Sequence, residues 1–224
     1  MIRMTPFSTR WLIAALLAVC ATSACHTATR ASTPPSPQPA ADAATIAKAK
    51  ADSAESPYTA ADVHFMSAMI GHHAQAIVMA NWAPTHGARP SVLTLAERII
   101  NSQQDEIVTM QQWLADRRQR VPDAHVVGMK MTMDGHEHMM LMPGMLTEDQ
   151  MKQLDAARGP EFDRLFLTFM IQHHTGAVTM VKELFSTYGA AQDQTVFKFA
   201  SDVNVDQATE IARMERMLAG LAVR

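Results

Sequence analysis

Residues 62–79 read DVHFMSAMIGHHAQAIVM, and residues 163–180 read DRLFLTFMIQHHTGAVTM. Asp62, Phe65, Met69, Ile70, His72, His73, Ala76 and Met79 recur as Asp163, Phe166, Met170, Ile171, His173, His174, Ala177 and Met180, at a constant offset of 101. The apolar spacing is that of a helix, and a His-His doublet sits in it where leucine would ordinarily stand. On a wheel of about 100° per residue, Phe65, Met69, Ala76 and Ala80 form the apolar stripe, with His72 and His73 flanking its centre. At least one imidazole of each doublet must therefore face a core.

Thr59 and Asp62 form a capping-box pattern that opens a helix from Thr59 to Trp82, and Pro84 ends it. A second helix follows from Ser91 to about Arg120. Pro160 opens the second copy, which runs to Tyr188 with Gly189 as terminator. Asp193 opens a last helix that reaches about Ala219 and stops at Gly220. The second helices repeat too: Gln103, Glu106, Ile107, Met110 and Leu114 match Gln207, Glu210, Ile211, Met214 and Leu218 at an offset of 104. No strand-like alternation of convincing length is present. Two related helical hairpins imply an all-α fold, most economically a four-helix bundle. Asp62 and Asp163 open their helices, where capping and the helix dipole favour an acid whatever the function.

The second helices also carry polar residues in their apolar stripes. Gln103 and Glu106 lie among Ile99, Met110, Trp113 and Leu114, and Gln207 and Glu210 lie among Val203, Ile211, Met214 and Leu218. Buried polar groups without partners are costly, so these must meet one another or a ligand. Imidazole is the commonest metal ligand, which makes His72, His73, His173 and His174 candidate ligands. The alternative is a structural polar layer in which each doublet pairs with Glu106 or Glu210. The two are compatible, because a carboxylate often holds the far nitrogen of a metal-bound histidine. Gln103 and Gln207 are further candidates for that supporting role, as are Met69 and Met170, one turn before each doublet.

Between the copies lies a connector, residues 121–146. From Gly128 to Met145 it holds Met129, Met131, Met133, Met139, Met140, Met142 and Met145, seven of the chain's 18 methionines, together with His136 and His138. Thioether sulfur is soft, uncharged and not titratable, so a cluster of it selects Cu(I) or Ag(I), while imidazole also holds Cu(II). An adaptable apolar lid, a partner surface and an oxidant sink are the competing uses of clustered methionine. Lys130, Thr132, Asp134, Gly135 and Glu137 make the segment too polar to pack as a helix. The remaining methionines, Met180 among them, recur at helical spacing as packing residues.

Residues 1–25 read as a secretory signal: Arg3 and Arg10, an uncharged run from Trp11 to Ala21, then Thr22, Ser23 and Ala24 before Cys25. The run is short of the roughly 20 residues of a membrane span. The small residues before Cys25 resemble a lipoprotein cleavage box, which would put a lipid anchor on that cysteine; ordinary cleavage after Ala24 is the alternative. Residues 26–57, with Pro34, Pro35, Pro37 and Pro39, have the composition of a flexible tether. Residues 58–221 form the folded domain. With only Cys20 and Cys25 in the chain, that domain has neither a disulfide nor a thiolate site, so any soft ligand must be methionine. A net charge of −3 with interspersed signs excludes the basic stripe of a nucleic-acid binder.

The paired Phe-x-x-x-Met-Ile-x-His-His-x-x-Ala-x-x-Met segments, each followed by Gln-x-x-Glu-Ile-x-x-Met, and the connector running into Met142-Pro143-Gly144-Met145 resemble the domain of unknown function 305 family over about Ala60 to Leu221. The resemblance implies a ferritin-like four-helix domain, exported or lipid-anchored in bacteria, with some members implicated in periplasmic copper binding. It carries over onto His72, His73, His173, His174 and the connector methionines and histidines. The expectation is a non-enzymatic copper protein of the periplasm or cell envelope. A carboxylate-bridged oxidase is one alternative, but such sites use Glu-x-x-His, which the chain lacks. A structural module with an unknown protein partner is the other.

Overall fold

The computed structural model describes residues 58–125, 127–133 and 136–222; the signal, Cys25 and the tether lie outside them. Among the described residues five helices carry the fold: α1 Ala60–Asn81, α2 Pro90–Asp116, α3 Glu148–Ala156, α4 Pro160–Ser186 and α5 Gln194–Ala222. The all-α class expected from the repeat is the one observed. Helices α1 and α2 pack as one hairpin and α4 and α5 as the other, and the hairpins meet along a seam between α1 and α4. Apolar clusters lie toward either end of this seam, one around Phe65, Trp113 and Phe199, the other around Leu95, Phe162 and Phe166. Among the described residues no helix is long and apolar enough to cross a membrane.

The caps read from the sequence are in place. Thr59 Oγ1 accepts from the Asp62 N–H at 3.3 Å, and Asp62 Oδ2 accepts from the Thr59 N–H at 2.7 Å. Asp62 also reaches the other hairpin, where its Oδ1 accepts from the Ala191 N–H at 2.7 Å. Asp163 reciprocates, taking the Arg89 N–H at 3.1 Å and Nε at 2.7 Å. Each repeated aspartate thus ties its helix to the loop of the opposite hairpin, a role that capping alone does not supply. A buried ion pair closes the seam beside Ala191: Arg117 Nη2 donates to Asp193 Oδ2 at 2.5 Å.

Four local expectations change. Helix α5 does not stop at Gly220 but runs through it to Ala222. Helix α2 stops at Asp116 rather than near Arg120, because Arg118 takes a left-handed conformation (φ 55°) and the Gln119 N–H turns back to Leu114 O. The connector is not simply irregular. It contains an antiparallel two-stranded ribbon, β1 Met129–Met133 and β2 His136–Met140, with Met129 opposite Met140 and Met131 opposite His138. A short helix, α3, then bridges to α4; its capping box of Thr147 and Gln150 is legible in the sequence but was not expected there.

Candidate metal centre

Both histidines of each doublet are fully buried. Consecutive helical residues point about 100° apart, so each doublet divides its work between two neighbours. His73 Nε2 meets Glu106 Oε2 at 2.6 Å and His174 Nε2 meets Glu210 Oε2 at 2.8 Å, each within its own hairpin. His72 and His173 turn into the seam instead, with ring centroids 3.8 Å apart. His72 Nε2 donates to Pro143 O at 3.0 Å, and His173 Nε2 donates to His72 O at 3.0 Å. The Glu106 and Glu210 pairing expected from the sequence is therefore present on one ring of each doublet. Glu210 is also held by Arg98 Nε at 3.3 Å, a link between α2 and α5.

A carbonyl oxygen can only accept, so His72 and His173 carry their hydrogen on Nε2, leaving Nδ1 as a bare lone pair in the neutral ring. Nδ1 of all four histidines, both amide atoms of Gln103 and the amide oxygen of Gln207 have no hydrogen-bond partner among the described residues. Outer nitrogens held by carboxylates and carbonyls, with inner lone pairs unused, are the donor arrangement of metal-binding imidazoles. Yet among the described residues no three His, Cys, Asp or Glu side chains converge into a ligating group. The layer supplies donors in pairs rather than a finished centre.

Burial also fixes the charge of three histidines of this layer, His72, His173 and His174. Desolvation, reinforced by the neighbouring His73, pushes the His72 pKa down to about 3. Desolvation and the nearby His72 hold His173 well below 6.5, and desolvation lowers His174 against the opposing pull of Glu210. The unfolded chain takes up these protons as pH falls through about 6.5, whereas the folded protein does not. Stability is thus full above that pH and falls on acidification, by up to about 1.4 kcal/mol per pH unit for each such histidine. Urea midpoints of the metal-free protein should drop between pH 7 and pH 5, above the range where carboxylates titrate. Equal midpoints would contradict neutral burial of the histidines.

The connector closes over the layer, and two glycines decide where. A Cβ on Gly71 would stand 2.1 Å from Gly128 O, and one on Gly176 would stand 1.9 Å from Pro143 O. At the repeat offset Gly71 corresponds to Gln172 and Gln75 to Gly176, so each helix has glycine where the other has glutamine. The glutamines hold what the glycines admit. Gln75 Oε1 accepts from the Leu146 N–H at 2.7 Å, and its Nε2 donates to Leu146 O at 3.0 Å. Gln172 Nε2 donates to Gly144 O at 3.2 Å. With the connector laid across it, every residue from Ala68 to Ala76 is buried.

Met142 and Met145 are consequently buried in the same apolar cluster as Met69, and the Met142 N–H points at Met145 Sδ, 3.2 Å away. Met170 belongs to the other cluster, and Met140 is exposed. The side chains of Met129, Met131, Met133, His136, His138 and Met139 lie outside the described part of the molecule; their backbone forms the ribbon. Sequence reasoning passed over His64 and took Met180 as packing. Both line a cleft of about 230 Å³ with Met142, between α1 and α4. Their signal is one of position: they face the connector only once it is folded back.

The profile of the family described as Domain of unknown function (DUF305) matches residues 62–218. Among solved structures, a DUF305 protein of Streptomyces coelicolor, described as a candidate secreted protein, is 25% identical with a TM-score of 0.60, over 72% of this chain and 94% of that one. A DUF305 fragment from Deinococcus radiodurans is 27% identical with a TM-score of 0.59, over 73% of this chain and 98% of the fragment. CopM in its Cu(I)-bound form is 27% identical with a TM-score of 0.53, over 73% and 98% of the two chains, and it has also been solved with Cu(II) and with silver. No curated protein sequence matches the chain. The repeated His-His helices and the connector between them are matched as one unit, and the chain belongs to the DUF305 family.

Proposed function

We propose that this protein binds copper as cargo in the cell envelope, sequestering or relaying it without an enzymatic step. The observation that carries this reading is the docking of the methionine-rich connector onto a layer of buried histidines, through Pro143 O and His72. Thioethers from the connector and imidazoles from both regions form a donor set suited to Cu(I) and tolerant of Cu(II). The likeness to CopM, solved with both copper oxidation states and with silver, supports the same chemistry. The signal-like residues 1–25 and Cys25 support export with a lipid anchor, bringing the domain to a compartment where thiols are scarce.

Cu(I) at about 100 times its Kd is expected to stabilise the protein by about 2.7 kcal/mol, raising its melting temperature by about 5–10 °C. Changing Met129, Met131, Met133, Met139, Met140, Met142 and Met145 to leucine, a nearly volume-conserving swap, should abolish most of that rise. A purified protein that fails to compete with a micromolar-affinity Cu(I) chelator ends this reading.

A structural reading is favoured by one specific observation: His73 and His174 already have carboxylate partners, so the layer is in part satisfied without metal. It expects replacement of His73 and His174 together to destabilise the protein equally with and without copper. The same pairing works against a carboxylate-bridged oxidase, since Glu106 and Glu210 are each committed to an imidazole.

A further inference from the structure

We propose that the cleft between α1 and α4 beside the connector is a solvent-accessible site for a soft monovalent metal ion, with His64, Met142 and Met180 as its donors. The proposal rests on the copper reading and adds a place where the ion first binds. It is carried by the cleft itself, which is lined by Ala61, His64 and Phe65 of α1, by Met142 and Pro143 of the connector, by Met180, Glu183 and Leu184 of α4, and by Thr187 just past its end.

The donors come from three segments that meet only because the chain folds back. His64 and Phe65 share one turn of α1, and Met180, Glu183 and Leu184 follow one face of α4 at helical spacing. Met142 and Met180 are almost wholly buried, each 6% exposed, whereas His64 stands exposed at the rim. Among the described residues nothing hydrogen-bonds to the His64 imidazole. Two thioethers and one imidazole form a neutral, soft set that suits Cu(I) or Ag(I) and is poor for Mg²⁺ or Ca²⁺. Exposed Glu183 supplies a compensating charge at the rim.

Access separates this site from the histidine layer. His72, His73, His173 and His174 are fully buried, so an ion reaches them only if their surroundings open. The cleft is open and, at about 230 Å³, has room for an ion with part of its water shell, a water occupying about 30 Å³. Pro143, whose carbonyl is held by His72, forms part of the cleft wall. An ion held here lies against the segment that covers the layer.

The test is Cu(I) titration against a competing chelator, with 13C-methyl-labelled methionine followed by NMR as Ag(I) is added. Four proteins are compared: the unaltered chain; His64→Gln alone; His64→Gln with Met180→Leu; and a ribbon variant with Met129, Met131, Met133 and Met139 changed to Leu. The expected result is that both His64 variants lose one equivalent and keep the others, the ribbon variant keeps that equivalent, and the Met142 and Met180 methyl signals shift with the first ion. Because His64 is exposed, the single variant should melt like the unaltered protein. Full stoichiometry in both His64 variants, with unmoved Met180 signals, overturns the cleft site while leaving copper binding standing. An unaltered chain that binds no Cu(I) or Ag(I) overturns both.

Discussion

Gly176→Ala is expected to lower the melting temperature by about 5–10 °C and to free the connector from the seam. Glycine to alanine inside a helix ordinarily stabilises by about 1 kcal/mol, so the sign must come from what the new methyl meets. It would meet backbone twice, Pro143 O at 1.9 Å and Gly144 Cα at 2.6 Å. Neither atom can swing away, since Pro143 O is held by His72 and Gly144 O by Gln172. Overpacking costs about 1–3 kcal/mol, and lifting the connector would re-expose Met142 and Met145, each contributing about 1.5–3 kcal/mol when buried. Lifting relieves the overlap, so re-exposure of the two methionines at the lower end of that range, about 3–4 kcal/mol, less the helix gain leaves a net loss of about 2–3 kcal/mol. Gly220→Ala is the control, because nothing lies within 4 Å of its added methyl and only the helical preference should register. Thermal melts paired with limited proteolysis of residues 121–146 check the result; an unchanged melt with a protected connector would show that the crossing has slack.

Asp193→Ala should have a larger effect, a loss of about 3–5 kcal/mol. Asp193 is fully buried and serves four partners. Its Oδ2 pairs with Arg117, its Oδ1 accepts from Trp113 Nε1 at 3.2 Å, and the same oxygen caps α5 through the Thr195 and Val196 N–H groups at 2.9 and 3.1 Å. The Arg117 guanidinium lies 4.4 Å from the centroid of the Trp113 ring and is nearly as buried, so removing the carboxylate takes the charge partner from a buried cation. The cap alone accounts for about 1 kcal/mol. Asp193→Asn separates the contributions, since it keeps an oxygen for the cap and the indole but loses the charge. Urea denaturation should rank the unaltered protein above Asn and Asn above Ala; equal midpoints for Asn and Ala would assign the whole effect to charge.

The repeated phrase made the architecture readable because helical periodicity is a local property. The apolar stripe, the Thr59 cap, the Asp193 helix start and the offset between second helices each depend on residues within a few turns. Placing Glu106 and Glu210 inside apolar stripes also revealed their partners, since a buried carboxylate needs a donor and the doublets were the nearest supply. The wheel left open which histidine turns inward, because it sees one helix with one buried face. Helix α1 has neighbours nearly all round, so both rings are buried. The connector was harder to read: strand pairing between Met129–Met133 and His136–Met140 is a relation between segments, and the alternation in each is short. His64 and Met180 carried no local signal at all.

The sequence by itself determined that the chain makes two related helical hairpins with imidazoles and carboxylates turned toward each other, because periodicity and the cost of burying polar groups operate within a hairpin. It also determined the soft donor set, since a domain without usable thiols has only methionine and histidine to offer a soft ion. Tertiary structure alone decided where those donors stand. The exchange of glycine and glutamine between Gly71/Gln75 and Gln172/Gly176 breaks the two-fold relation, letting the backbone of one connector cross both helices at sites where a Cβ would collide. That steric choice buries Met142 and Met145 over the histidine layer and opens the cleft beside His64. Both outcomes depend on contacts between residues from about 30 to about 115 positions apart, which no local pattern encodes.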